Sequence, residues 1–401
     1  MAQETTPDTA AQGEPVGDHW KGALTHVFHP SHHPDLDRRV RRCRRSGVRD
    51  RARRWGGHTV VLHRPIQQDQ DDCLDGAAHG DVNPYGVAVV PSSIGSLVKG
   101  DVLVSNFNNS KNLQGTGTTI VQVSPGGQQT VFAHIRKSSL PGPCPGGVGL
   151  TTALGILPGG WVVVGSLPTT NGMSATAKAG CLLVINNQGK VAETIAGHGI
   201  NGPWDMATAS AGSLAALFVS NVLNGTVAAS PNVVHKGTVE RLVLLLRGNK
   251  PPQLIAHKII GSGFGTRTDP AALVVGPTGL GLNSQGTLFV ADSVGNRIRA
   301  IPRALVRSSS AGTGNKVTSG GDLNTPLGLA IAPNGHVLTV NAGDGFIVET
   351  TPSGNQIAKF LLDKTPPPPL GAGALFGLAV TPNANGIYFV DDVANTLNLF
   401  H

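Results

Sequence analysis

The sequence predicts an all-β fold, a six-bladed β-propeller, on three observations. One phrase recurs six times: a Gly or other small residue among apolar residues, then a turn, then a second β-rich run ending in Asn, Asp or Gly. Aligned on Gly86, Gly155, Asp205, Gly279, Gly328 and Gly377, its copies are spaced by 69, 50, 74, 49 and 49 residues. A unit of about 49 residues with two long insertions accounts for every interval, and such a period marks a repeat architecture. Composition agrees: 54 Gly and 28 Pro with 14% charged residues suit short strands joined by tight turns and leave little helix.

Each unit supplies the same elements in order. A first strand, such as Leu327 to Ala332, runs into the turn Pro333-Asn334-Gly335 and a second strand, His336 to Val340. A third follows, as in Asn296 to Ile301 or Thr118 to Ser124, and then a turn such as Pro125-Gly126-Gly127. Asn-Gly, Gly-Gly and Pro-x-Gly are the residues tight hairpin turns require, because they tolerate positive φ or preset the turn. Three or four short strands per unit make a propeller blade. In the last unit Phe376 to Val380, Gly386 to Val390 and Thr396 to Phe400 give three strands, with no fourth before His401. An open blade leaves strand edges unpaired, so an upstream strand is expected to close it. The candidate is Thr59 to His63.

Composition changes near Gly80, dividing the chain into residues 1–80 and a propeller over 81–401. The first part holds eight of the fourteen His, one Lys and no hydrophobic periodicity, and is expected to be largely disordered. An incorrect start or a shifted reading frame in GC-rich DNA would produce the same Arg- and His-rich composition. Ten Arg against Asp50 between Arg38 and Arg54 contribute +9 of the net +7, leaving −2 for all other residues. Charge therefore assigns the folded body no polyanionic partner. The Arg run, without interleaved aromatics, suits nonspecific adhesion better than a dedicated nucleic-acid site. No run approaches the roughly 18 apolar residues of a membrane span, and Met1 to Gly17 lacks the apolar core of a secretory signal.

Four cysteines without CxxC spacing do not make a disulfide scaffold; Cys144 and Cys181, both in the repeat body, are expected as buried or loop thiols, with a pair between them the alternative in an oxidising compartment. Asp71 to Gly76 fails as a calcium loop, because Cys73 and Val82 stand where oxygen ligands are needed. The His26, His29, His32 and His33 tract is read as metal-free, and Gly261 to Gly265 as an inter-blade loop without a phosphate-binding Lys-Ser/Thr pair.

Gly279-Leu280-Gly281-Leu282 with Gly286 to Arg299 resembles the phrase of the NHL-repeat propellers, a resemblance that covers Asp81 to His401. Propellers of the gluconolactonase and regucalcin type are distantly similar. That resemblance implies a divalent cation in the central channel, held by Glu, Asn or Asp just before the Gly of each first-strand phrase. Here those places hold Tyr85, Leu154, Trp204, Thr278, Leu327 and Phe376, so neither a metal nor another cofactor is expected. Such relatives are frequently exported, which the sequence as written does not signal.

The remaining functional hint is aromatic. Tyr85, Trp204 and Phe376 occupy equivalent positions, and with Asp205 as polar contact they are the expected ligand-binding residues at the channel mouth. No Gly-x-Ser-x-Gly elbow or Ser/His/Asp set is evident, and no catalytic residue is assigned. The reading is a monomeric, non-catalytic module that binds a small molecule or protein through the channel mouth and inter-blade loops. The alternatives are a propeller-type hydrolase or lyase, with or without a metal, and nucleic-acid binding through the Arg-rich arm.

Overall fold

The computed structural model describes the backbone of Thr59–Val61 and residues 80–401. The expectations for the rest of residues 1–80, with Cys43, Cys73, the His tract and the Arg run, lie outside the described residues. Strand β1 (Thr59–Val61) belongs to the last sheet, and five sheets precede that sheet in the chain. The first contains β2 (Val82–Val89), β3 (Val102–Asn108), β4 (Thr119–Val123) and β5 (Gln129–His134). The second contains β6 (Leu150–Leu157), β7 (Trp161–Ser166), β8 (Cys181–Ile185) and β9 (Val191–Ile195). The third contains β10 (Pro203–Ala211), β11 (Leu214–Asn221), β12 (Val234–Arg247), β13 (Lys250–Asp269) and β14 (Leu273–Val275). The fourth contains β15 (Pro277–Leu282), β16 (Leu288–Asp292), β17 (Arg297–Ile301) and β18 (Asn315–Ser319). The fifth contains β19 (Pro326–Ile331), β20 (Val337–Asn341), β21 (Phe346–Thr350) and β22 (Gln356–Leu361). The sixth orders β1 beside β25 (Thr396–Phe400), then β24 (Ile387–Asp391) and β23 (Leu375–Val380).

All pairings are antiparallel hairpin steps except β1 with β25, where Thr59 lies opposite Phe400 and Val61 opposite Asn398. The first strands β2, β6, β10, β15, β19 and β23 contact one another in a closed circle, the last returning to the first. This is a six-bladed β-propeller, and those six strands line its channel. The only α-helix among the described residues is α1 (Thr226–Ala229), in the third blade.

Apolar layers hold neighbouring blades together. Leu103 and Ile120 of the first blade pack with Leu150, Val162 and Leu183 of the second, all fully buried. Ala153, Val163 and Leu182 meet Leu217, Val219 and Leu242 of the third in the same way. Each such Leu or Val contributes roughly 1.5–3 kcal/mol by leaving water.

The recurrent Gly has a steric cause. Six strands around one axis bring the start of each first strand against its neighbour's backbone. A Cβ on Gly328 would overlap the carbonyl oxygen of Phe376, and one on Gly377 that of Tyr85. Gly328→Ala is therefore expected to destabilise the fold by about 3 kcal/mol or more, through backbone that cannot yield. Gly126→Ala, in an open turn whose nearest neighbour is 3.8 Å away, is the control and should be near neutral in urea unfolding. Equal midpoints for the two variants would disprove the steric account.

Three sequence expectations are corrected here. Cys144 and Cys181 form a disulfide with Cα atoms 5.3 Å apart, tying the segment before β6 to the start of β8. Spacing along the chain could not show this proximity, because hairpin folding brings together residues 37 apart. Gly261 to Gly265 is no loop but part of β13, where Phe264 is fully buried and small residues allow the strand to shift register against β12. In the second blade the register shifts between Leu150 and Leu154. The carbonyl of Thr152, not Leu154, therefore faces Gly86 as that of Tyr85 faces Gly377.

Candidate functional site

The starts of the first strands converge on an aromatic layer that spans the channel. Tyr85 of β2 stacks on Phe376 of β23 at 3.9 Å between ring centroids and on Phe107 of β3 at 4.4 Å. Trp204 of β10 lies 6.4 Å from Phe376, nearly parallel to it. Its indole Nε1 donates to the Val274 carbonyl at 3.0 Å, so the segment carrying β14 is fastened over the rings. Ala272, Leu273, Val274 and Val275 are buried in this layer, and Tyr85, Trp204 and Phe376 are only 1–3% exposed. The three rings thus sit beneath a cap and do not face solvent.

Acids surround this layer. The Tyr85 hydroxyl has no hydrogen-bond partner, and burial, with Asp392 and Asp269 nearby, pushes its pKa well above the usual value. Burial likewise raises Asp392, with neighbouring Asp391 adding to the effect. Asp391 is pushed up to about 6, first by burial and then by the adjacent Asp363 carboxylate, against the Ala394 N–H that donates to it at 2.8 Å.

The metal that the family resemblance implies does not fit these residues. The positions that would supply oxygen ligands carry stacked rings, Leu327, Thr278 and the Thr151-Thr152 pair. The Thr278 hydroxyl is already bonded to Ser293 Oγ at 2.7 Å. A hard divalent cation needs several oxygen donors at one point. Among the described residues no three His, Cys, Asp or Glu side chains are arranged to hold one.

Beyond the aromatic layer the channel opens into a cavity of about 280 Å³. Leu154, Met206, Leu280, Leu329 and Leu378 from five blades contribute aliphatic side chains to its wall, although most of the surface exposed to it is polar, and it runs toward Leu282, Ile331 and Val380, which are partly exposed. The polar lining side chains are Asp205 and Thr152, from adjacent blades. Asp205 occupies the place that is Gly in four other blades, so its carboxyl enters the seam between the third and fourth. There Oδ2 accepts the Leu280 N–H at 2.8 Å, and the Met206 N–H also favours the anion. Burial outweighs both and lifts the Asp205 pKa to about 7. Its own N–H is held by Ser220 Oγ at 3.0 Å, which in turn donates to the Thr278 carbonyl at 2.9 Å. The Thr152 hydroxyl is buried and has no hydrogen-bond partner among the described residues.

Sequence reading singled out Asp205 but missed Thr152, Asp363 and Asp392. Only the doubled Asp391-Asp392, where four other blades end their second strand in a single Asn or Asp and the second blade in Ser166, could have drawn attention to the last of these.

No protein-family model matches the chain, and neither does any curated protein. Among solved structures, a gluconolactonase from Xanthomonas campestris is similar at 14% identity and a TM-score of 0.50, over 86% of this chain and 90% of that one. A luciferin-regenerating enzyme is similar at 11% identity and a TM-score of 0.52, over 86% of this chain and 95% of that one. At such identities the likeness shows the fold. Both neighbours are enzymes, which corrects the expectation of a non-catalytic module: its ground was the absence of the family's metal ligands, and the same fold carries catalysis in those two proteins.

Proposed function

We propose that the chain is an enzyme of the propeller hydrolase or lyase class, in which Asp205 is the general base for a small uncharged, largely apolar molecule held in the channel cavity. The observation that carries this is a buried carboxyl with a pKa of about 7 at the wall of the channel cavity, among aliphatic side chains from five blades. A base whose pKa lies near the working pH combines availability with proton affinity, and enzymes raise carboxylates into this range by burial. The gluconolactonase among the structural neighbours supports cyclic esters as the first substrates to try.

Asp205 would take a proton from a water attacking the ester carbon and return it to the alcohol oxygen as the acyl C–O bond breaks, or take one from a carbon next to a carbonyl while the bond from the adjacent carbon to a leaving oxygen breaks and that oxygen receives the proton. The unpartnered Thr152 hydroxyl is placed to donate to a substrate oxygen. The aliphatic side chains of the lining suit an apolar part of the substrate and offer an anionic one no partner to offset its desolvation.

The test is turnover of a panel of neutral apolar lactones and of substrates for elimination across pH 5–9. The expected kcat/KM rises about tenfold per pH unit and levels above pH of about 7, because the base must be ionised. Absence of turnover across the panel, or a rate flat through pH 7, would sink the proposal.

A further inference from the structure

We infer that the cleft between the first and second blades is a second binding site, separate from the channel, for a small molecule bearing an oxyanion. It is an open cleft of about 530 Å³, against about 280 Å³ in the channel. Clefts of a few hundred Å³ are the usual size for small-molecule sites. Its walls come from the β3–β4 loop with Asn109 and Ser110, from Arg136 and Lys137 after β5, and from Gly146-Gly147 before β6.

The hydrogen-bonding balance of these walls selects the ligand. The acid in the lining, Asp81, is occupied: its Oδ2 accepts from Thr118 N at 2.6 Å, Thr118 Oγ1 at 3.0 Å and Thr119 Oγ1 at 3.1 Å. The Thr116 and Thr169 hydroxyls donate to the carbonyls of Leu113 and Gln114, both at 2.6 Å, and have no proton left to offer. Arg136 and Lys137, by contrast, take part in none of the salt bridges among the described residues. With His134 of the lining already engaged, two cations remain unpaired among the described residues, and the matching ligand group is a phosphate or carboxylate, which such donors bind through charge-assisted hydrogen bonds.

Lys137 is also positioned. Its side chain lies along the Gly146-Gly147 wall, where a Cβ on Gly147 would sit 3.4 Å from Lys137 Cδ and 3.8 Å from Nζ. Gly147 has φ of 103°, a conformation that side-chain-bearing residues avoid, so the wall stays bare where the lysine crosses it. The Cys144–Cys181 disulfide anchors that wall to β8.

The experiment is calorimetric titration of the full chain at low ionic strength with inorganic phosphate and, separately, with acetate. Saturable binding of at least one probe is expected, weakened by about tenfold or more in the Arg136→Ala, Lys137→Ala double variant. Both side chains are exposed, so the thermal midpoint should not move. Asp205→Asn, in the channel, should bind the probe as the parent does, and the stronger of the two probes identifies the oxyanion. No saturable binding of either probe overturns the inference. So does undiminished binding by the double variant, which would place the anion on the Arg-rich residues 38–54.

Discussion

Replacing Asp205 with Asn is expected to abolish turnover and, at pH 8, to make the fold more stable. Asp205 is 8% exposed, and its pKa moves from 3.8 to about 7 on folding. Below pH of about 4 the carboxyl is protonated in both states and burial costs it little. Between pH 4 and 7 the unfolded chain loses this proton while the folded chain keeps it, so stability falls as pH rises. Above pH of about 7 the carboxylate is ionised in both states and the full cost of burying it, about 4 kcal/mol, is felt. Asn keeps an oxygen for the Leu280 N–H and carries no charge. Its own N–H groups need partners, so the net gain should be about 2 kcal/mol or more at pH 8 and near zero at pH 4. Loss of a general base should lower kcat by about 10²–10⁴. Urea unfolding at the two pH values, with the rate assay, reads both effects. If the variant keeps its activity, Asp205 is not the base; if the stability difference does not depend on pH, the carboxyl is not buried as an acid of raised pKa.

Removing the disulfide should have the largest effect on stability. Cys144 and Cys181 are 37 residues apart, and joining them removes loop freedom from the unfolded chain worth about 4 kcal/mol. Both lie in the core shared by the first two blades, at 8% and 0% exposure, where the Gly146 N–H, donating to the Ala179 carbonyl at 2.8 Å, also joins the two segments. Cys144→Ser with Cys181→Ser, or the reduced parent, should unfold at lower urea by a corresponding amount. The double variant should be indifferent to reductant while the parent is not. An unfolding curve of the parent that reductant leaves unmoved would show that the bond contributes nothing.

The fold was legible because its cause is local and repeated. Turn residues such as Pro333-Asn334-Gly335 announce hairpins by their own backbone preferences, and six copies of one phrase leave few architectures. The alignment failed where one bulge is larger than the rest: all six first strands shift register near their start, by one residue in five blades and by two in β6. An extra residue between Leu150 and Leu154 leaves no mark in the period, so Leu154 was placed where Thr152 stands. The site was half legible. Asp205 could be noticed as the exception to a recurrent Gly, and Tyr85, Trp204 and Phe376 as aromatics in equivalent places. That the rings close the channel under β14 while the acid faces the cavity depends on contacts such as Trp204 with Val274, 70 residues away.

What the sequence determined by itself was therefore the six-bladed body and the identity of the one acid among its ring of glycines, because both follow from short-range pattern. Only the tertiary structure decided which cysteines pair, which rings are covered and what a carboxyl at position 205 experiences. Those properties belong to the space between blades, and desolvation there arises from residues that the chain brings together only on folding.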